Sequence, residues 1–195
     1  MTRKYFFTSD LHFGHANIIK YANRPFKSVR EMDDALIERW NAKVTKSDVV
    51  WILGDFAFMQ EEPLIDTASW LEGEKHVVWG NHDKVFRSKK VRDELAKYNY
   101  VFHSGLEEIY VPDSTVPGGK QHIVLCHYAM RVWNKSHRGS WQLYGHSHGS
   151  LPDDPNALSV DVGVDCWDYA PVSYDTLKKV MAKKDYKPID HHGRD

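Results

Sequence analysis

The chain has 195 residues, with 26 Lys and Arg against 27 Asp and Glu and only two cysteines. At that length one domain, spanning 1–195, can bury roughly 70% of its unfolded surface without covalent staples. A formal charge of −1 excludes a general attraction to nucleic acid or anionic membrane, so any recognition of phosphate must be local.

Cys126 and Cys166 form no zinc-like ligand pair, and so little cysteine argues for a cytoplasmic setting over an oxidising one. Met1 to Asp10 lacks the long apolar core of a signal peptide, and no later apolar run approaches the ~18 residues of a membrane span. Twelve histidines is a high count, and five of them sit beside predicted strand ends.

In chain order, Tyr5 to Thr8 reads as a strand ending at Ser9, Asp10 and His12. Ser28 and Glu31 form a capping box ahead of a helix whose apolar face is Met32, Leu36, Ile37 and Trp40. Val49 to Leu53 is a second strand, stopping at Gly54 and Asp55, and a helix is expected from Glu61 to Leu71. Val77 to Trp79 stops at the run GNHD (Gly80, Asn81, His82, Asp83), ahead of a helix from about Lys84 to Tyr98. Alternating strands and helices predict a mainly parallel sheet.

Beyond residue 100, Tyr100 to Val111 and Lys120 to His127 read as neighbouring strands around a turn rich in Pro and Gly, so this half is expected to be antiparallel. Trp141 to Tyr144 stops at GHSHG, Ala157 to Asp165 alternates as a strand, and Ser173 caps a last helix carrying Leu177, Val180 and Met181. The charged end, Asp185 to Asp195, is expected to fray.

Ligands of such sheets bind beyond the carboxyl ends of the strands, where the polar tips converge. Asp10, His12, Asp55, Asn81, His127, His146 and His148 would then meet, too many donors for one four-ligand metal site. Seven suit two metals sharing a carboxylate, and Asp55, alone on its tip, is the natural bridge. The stretch Gly145 to Gly149 also fits GxSxG, a nucleophile elbow at Ser147 with Asp165 and His191 as triad partners. Against this, Ser147 is followed by Gly149, Pro152 and Pro155, which break regular structure, and a serine hydrolase leaves the other tips unused.

Asp10 with His12, Gly54 with Asp55, GNHD, His127 and GHSH, in that order on those tips, resemble the calcineurin-like metallophosphoesterases, in their small stand-alone bacterial or phage type. The resemblance implies an α/β fold, a two-sheet mixed β sandwich flanked by helices in four αββα layers. It implies one metal on Asp10, His12, Asp55 and His148, a second on Asp55, Asn81, His127 and His146, and His82 as a proton or hydrogen-bond donor to the departing oxygen. It further implies hydrolysis of phosphoesters by a hydroxide bridging two divalent ions. The absence of the Asp-Arg-Gly run of the phosphoprotein phosphatases after Asp55 disfavours protein dephosphorylation.

Mixed nitrogen and oxygen donors suit Mn, Fe, Zn, Ni or Co. Imidazole, with an ordinary pKa near 6.5, suits proton donation close to neutrality. His15, Arg24, Arg131 and Arg138 are candidates for substrate binding, and the cationic run from Lys84 to Arg92 for guiding an anion. His76, His103, His122, His137, His191 and His192 read as surface histidines, and Trp133 and Trp141 as core or cleft wall. The expected activity is a phosphodiesterase on nucleotides or short nucleic acid. A phosphomonoesterase, a serine hydrolase using Ser147 and a non-enzymatic scaffold are the alternatives.

Overall fold

In the computed structural model, which describes residues 3–187 and residue 189, alternation along the first strands sets the layering. The chain runs β1 (Tyr5–Thr8), α1 (Ala16–Tyr21), α2 (Val29–Asn41), β2 (Val49–Ile52), α3 (Glu61–Ser69), β3 (Glu74–Val78), α4 (Lys89–Ala96) and β4 (Tyr100–His103). It continues through β5 (Leu106–Pro112), β6 (Lys120–Cys126), β7 (Trp141–Tyr144), β8 (Ser159–Asp161), β9 (Val172–Ser173) and α5 (Tyr174–Met181).

Phe6, Val50, Ile52 and Val77 pack with Met32, Leu36 and Trp40 of α2, Leu64 of α3 and Leu95 of α4, while Phe7, Val49, Trp51 and Val78 join a second cluster with Ile123, Leu125, Trp141 and Leu143. The first sheet has the order β4-β3-β2-β1-β9. Its four parallel strands, β1 to β4, advance in one direction across the sheet, so right-handed crossovers place the connecting helices on the same face. The second sheet, β5-β6-β7-β8, covers the other face. The result is a two-sheet mixed α/β sandwich with helices flanking the first sheet, and α5 packs against β1 and β9.

Local signals explain the helices. The Ser28 hydroxyl accepts from the Glu31 backbone N–H at 3.1 Å, and the Glu31 carboxylate accepts from the Lys27 N–H at 2.8 Å, closing the α2 cap. Trp40, fully buried, donates its indole N–H to the Glu72 carbonyl at 3.0 Å. Ser88 and Ser173 cap α4 and α5 in the same way.

Several expectations change. Tyr100 to Val111 is two strands in two sheets, broken at Gly105, whose φ of +60° is a left-handed turn. The later half is not antiparallel throughout: β5 pairs that way with β6, and β9 with β1 in the first sheet, but β6, β7 and β8 are parallel. Ordinary hydrophobic runs do not encode strand direction, whereas the Pro/Gly turn between β5 and β6 does mark a hairpin. The strand expected over Ala157 to Asp165 is limited to β8, and the helix expected from Lys84 starts as a 3-10 turn at Asp83–Arg87 before α4. Among the histidines, His122 is buried against Glu108, and His76 and His103 are half-buried against each other. Trp133 and Trp141 lie in the second core cluster. The C-terminal end stays docked further than expected, because the Lys187 N–H donates to the Asn156 carbonyl at 2.8 Å; His191 and His192 fall outside the described residues.

Candidate metal centre

The carboxyl ends of β1, β2 and β3 and those of β6, β7 and β8 open onto one edge of the sandwich, where the two sheets touch. Ser9 bridges Gly163 there, and the Val164 N–H donates to the Ser9 carbonyl at 3.0 Å. The loops after β1 and β2 run side by side: Asp10 N–H donates to the Gly54 carbonyl, and His12 N–H to the Asp55 carbonyl, both at 3.0 Å. Asp83 ties in the loop after β3, its carboxylate accepting from the N–H groups of Asp55 and Gly80 at 2.8 Å and Phe56 at 2.9 Å.

Five of the seven expected donors adopt a left-handed backbone: Asp10 (φ +57°), His12 (+53°), Asp55 (+54°), His146 (+67°) and His148 (+47°). Each such residue costs on the order of 1 kcal/mol or more, and the paired loop hydrogen bonds hold them there. Glycines give the necessary clearance. A Cβ on Gly80 would lie 2.3 Å from an Asp55 carboxylate oxygen, and one on Gly145 would lie 2.5 Å from Asp10 Oδ2.

The donors fall into two groups. Asp10, His12 and His148 offer atoms within 4.8 Å of one another, as do Asp55, His127 and His146. Asp55 Oδ2 lies between them, 3.6 Å from His12 Nε2 and 3.5 Å from His127 Nε2. Asn81 Oδ1 is 3.0 Å from His127 Nε2, which adds the seventh donor to the second group. The two groups are joined again where the His146 N–H donates to Asp10 Oδ2 at 2.8 Å.

The other ring nitrogens are occupied in ways that aim Nε2 at the site. His127 Nδ1 meets the Leu53 carbonyl at 2.7 Å, and His148 Nδ1 meets Asp165 at 2.7 Å. Such outer partners fix tautomer and orientation. Asp10 Oδ1 and His12 Nε2, both buried, have no hydrogen-bond partner. Buried polar atoms are normally satisfied, so these two orphans, facing a shared space, fit a cation. Burial raises the Asp10 carboxyl to about 7, with Asp55 adding to the effect and His148 opposing it, and burial lowers His12 to about 2. Burial also opposes the charge on His148, but its bond to Asp165 and the nearby Asp10 carboxylate prevail and raise its pKa.

His82 is exposed at the rim, its N–H donating to Asp55 Oδ1 at 3.0 Å and its ring 5.7 Å from that of His12. His15 Nδ1 is 3.3 Å from His12 Nδ1, and its ring stacks on Phe58. These side chains line an open cleft of about 680 Å³.

Arg24 corrects the sequence reading. Its side chain is fully buried, with two nitrogens on Asp165 at 2.8 and 2.9 Å and two more bonds to the carbonyls of Asp10 and Leu11. It cannot clamp a substrate phosphate; it anchors the aspartate that orients His148. Arg131 and Arg138 are exposed but do not line the cleft. The run Lys84 to Arg92 is largely engaged locally, with Lys89 on Asp93, Lys90 near Glu61 and Arg92 on the Phe86 carbonyl. Ser147 is followed by a turn and not a helix, and Asp165 pairs with His148 and Arg24; the elbow reading has no support in this geometry.

Sequence reasoning missed Asp161 and the Arg24–Asp165 pair. Asp161 accepts from the N–H groups of Gly149 at 3.2 Å and Gly163 at 2.7 Å, steadying the loop that carries His146 and His148. Both acids end or follow β8, so the strand-tip logic applied to the earlier strands would have found them.

Fold and site together define a two-sheet α/β sandwich with two adjoining metal-ligand clusters at one end. No family model matches the chain. It is 34% identical over 188 residues to an uncharacterized protein of Methanocaldococcus jannaschii, covering 93% of both. It is 30% identical over 179 residues to the Gene 66 protein of Mycobacterium phage L5, covering 83% of this chain and 86% of the phage protein. The Gene 66 protein of phage D29 matches to the same identity. The chain belongs to the family of these archaeal and phage proteins. A crystal structure of a protein of unknown function from Aquifex aeolicus shares the fold, with a TM-score of 0.65 over 92% of this chain and all of that one at 20% identity. A conserved uncharacterized protein from Streptococcus pneumoniae TIGR4, a predicted phosphoesterase, overlaps at a TM-score of only 0.38 and 16% identity, too little to carry a conclusion.

Proposed function

We propose that the protein is a binuclear metal-dependent phosphoesterase that prefers diesters and acts in the cytoplasm. The observation that carries this reading is the position of Asp55 Oδ2, 3.6 Å from His12 and 3.5 Å from His127, between two donor groups, the first of which holds two orphaned atoms. Among the described residues no helix is long and apolar enough to cross a membrane.

Asp10, His12, Asp55 and His148 would hold one divalent ion, and Asp55, Asn81, His127 and His146 the other. Mn, Fe, Zn, Ni or Co fit these donors. When bound, such a pair would supply Lewis acidity towards phosphoryl oxygens and would lower the pKa of a bound water far below its bulk value, towards about 7. With only two carboxylates among seven donors, the loaded site keeps excess positive charge, which draws in a phosphate ester. His82, at the rim and held through its backbone to Asp55, donates a proton or hydrogen bond to the oxygen that leaves. No protein nucleophile is required.

The diester preference has its own support. Among the described residues, no Lys or Arg lines the cleft, and Arg24 is committed to Asp165. A dianionic monoester would lack the guanidinium partners that usually complement it. The test is a panel of mono-, di- and cyclic phosphoesters assayed after chelation and again after adding Mn²⁺. The expected result is metal-restored hydrolysis, faster for bis-nitrophenyl phosphate than for nitrophenyl phosphate. A protein carrying two metals that hydrolyses none of the panel would overturn the reading.

A further inference from the structure

We propose that Phe58 is a stacking platform for a nucleobase of the substrate, in a subsite shared with Gln60, His82 and Lys84. The proposal rests on the phosphoesterase reading and narrows its substrate to a nucleotide diester.

Phe58 lies three residues after Asp55 and is 55% exposed, an unusual place for a large apolar ring beside a cluster of buried polar groups. Its backbone is fixed: the Phe58 N–H donates to the Phe13 carbonyl at 2.8 Å, and Phe13 bridges Ala57. The ring is therefore presented on a strand-like rail, and little ordering remains to be lost when something binds. One face is taken by His15, with centroids 4.7 Å apart and planes within 27°. The ring also stands 6.0 Å from His82, edge to face.

Two cavities meet at this ring. Phe58 and His82 line the 680 Å³ cleft of the metal donors, and both also line a neighbouring depression of about 240 Å³ that includes Gln60 and Lys84 but not His15. The depression thus adjoins the part of Phe58 that His15 leaves uncovered. His82, the proposed donor to the leaving oxygen, lines both cavities, so the group it protonates would lie beside the depression.

Its chemistry selects the occupant. Besides Phe58 the depression is lined by the apolar Ala57, Met59 and Val85 and by the polar Gln60, His82 and Lys84, a mixture that suits a flat ring bearing hydrogen-bonding groups better than an acyl chain, which would leave the polar groups without partners. A planar heterocycle uses Phe58, Gln60 and Lys84 together: the ring stacks, the Gln60 amide meets a base edge, and the Lys84 ammonium donates to a carbonyl oxygen or ring nitrogen of the base. Base–aromatic stacking is sequence-tolerant and is worth enough to matter at a single residue. Tyr21, 77% exposed and also lining the cleft, extends the aromatic rim past His15. Tyr128 on the opposite rim differs, because its hydroxyl is bonded to Asn81 Oδ1 at 3.2 Å and its ring packs edge-on to His127 and His146.

The experiment is calorimetric titration of the Mn²⁺-loaded full chain with AMP and, separately, with inorganic phosphate; the ratio of the two affinities isolates what the nucleoside adds. The wild-type protein is expected to favour AMP. Phe58→Ala and Phe58→Leu, the latter keeping apolar bulk without a ring, should each lower the ratio by about fivefold or more, while Phe58→Trp should keep or raise it. A ratio unchanged in Phe58→Ala, or lowered equally in Phe58→Trp, overturns the platform. Phosphate binding with no preference for AMP overturns it too while leaving the phosphoesterase reading intact. Failure of the metal-loaded protein to bind either ligand would remove both.

Discussion

Asp10 and Asp113 are both buried aspartates, at opposite ends of the same sandwich, and their surroundings differ in kind. Asp113, just past β5, accepts from Tyr174 at 2.7 Å, Lys178 at 2.6 Å and both the hydroxyl and N–H of Thr115 at 2.7 and 2.9 Å. These donors hold its carboxyl well below the usual range. Asp10 receives one backbone N–H on Oδ2 and nothing on Oδ1, and burial pushes its carboxyl up to about 7. A carboxylate with a full set of donors staples a fold. One left short of donors, in a backbone conformation that costs energy and among imidazoles whose free nitrogens face it, is placed for a cation.

The largest effect belongs to the rim of the donor end: His82→Ala should reduce turnover by roughly 10²-fold or more, as expected for lost acid catalysis, with metal content intact by elemental analysis. Loss of metal instead would make His82 a ligand and redraw the site. Next comes the outer support of the same end. Asp165→Asn removes the charge that orients His148 and neutralises Arg24, and metal affinity at that group should fall by about 10- to 100-fold in a competitive chelator titration, with Asp113 and the far end unaffected.

The smallest effect is at the far end. Asp113→Asn should cost about 1.5–3 kcal/mol of stability at neutral pH, read as a lowered unfolding midpoint, and leave metal binding unchanged. Its folded pKa is depressed, so the stability it provides is present above the unfolded value of about 3.9 and is lost as the pH falls below that. The gap between wild type and Asp113→Asn should therefore close in acid. A gap that widened instead would contradict the staple role.

The donor end was far more legible in the sequence than the far end, for a physical reason. Strand tips leave a local mark: a β-branched or aromatic run that stops at Gly, Asp, Asn or His, as at Thr8, Ile52, Val78, Cys126 and Tyr144. Helix caps do the same, and Ser28, Ser88 and Ser173 sit where their helices begin. What the sequence hides is pairing across distance. Arg24 and Asp165 are 141 residues apart, and nothing near Arg24 separates a buried structural guanidinium from one that awaits a phosphate. Asp113 meets Tyr174 and Lys178 from 61 and 65 residues away. Short elements were also hidden, because the two-residue β9 and the one-and-a-half turns of α1 carry too little periodicity to register. Strand direction in the second sheet was misread where β6, β7 and β8 return by long connections that no turn motif announces.

The central claim is that two cations share Asp55. It is tested most directly by counting bound Mn²⁺ per chain in the wild-type protein and in Asp55→Ala by elemental analysis after dialysis. The account predicts two ions in the wild type and weakened retention of both in the variant, since each group loses the same carboxylate. A single ion in the wild type, or an Asp55→Ala protein that still holds two as tightly, would contradict it.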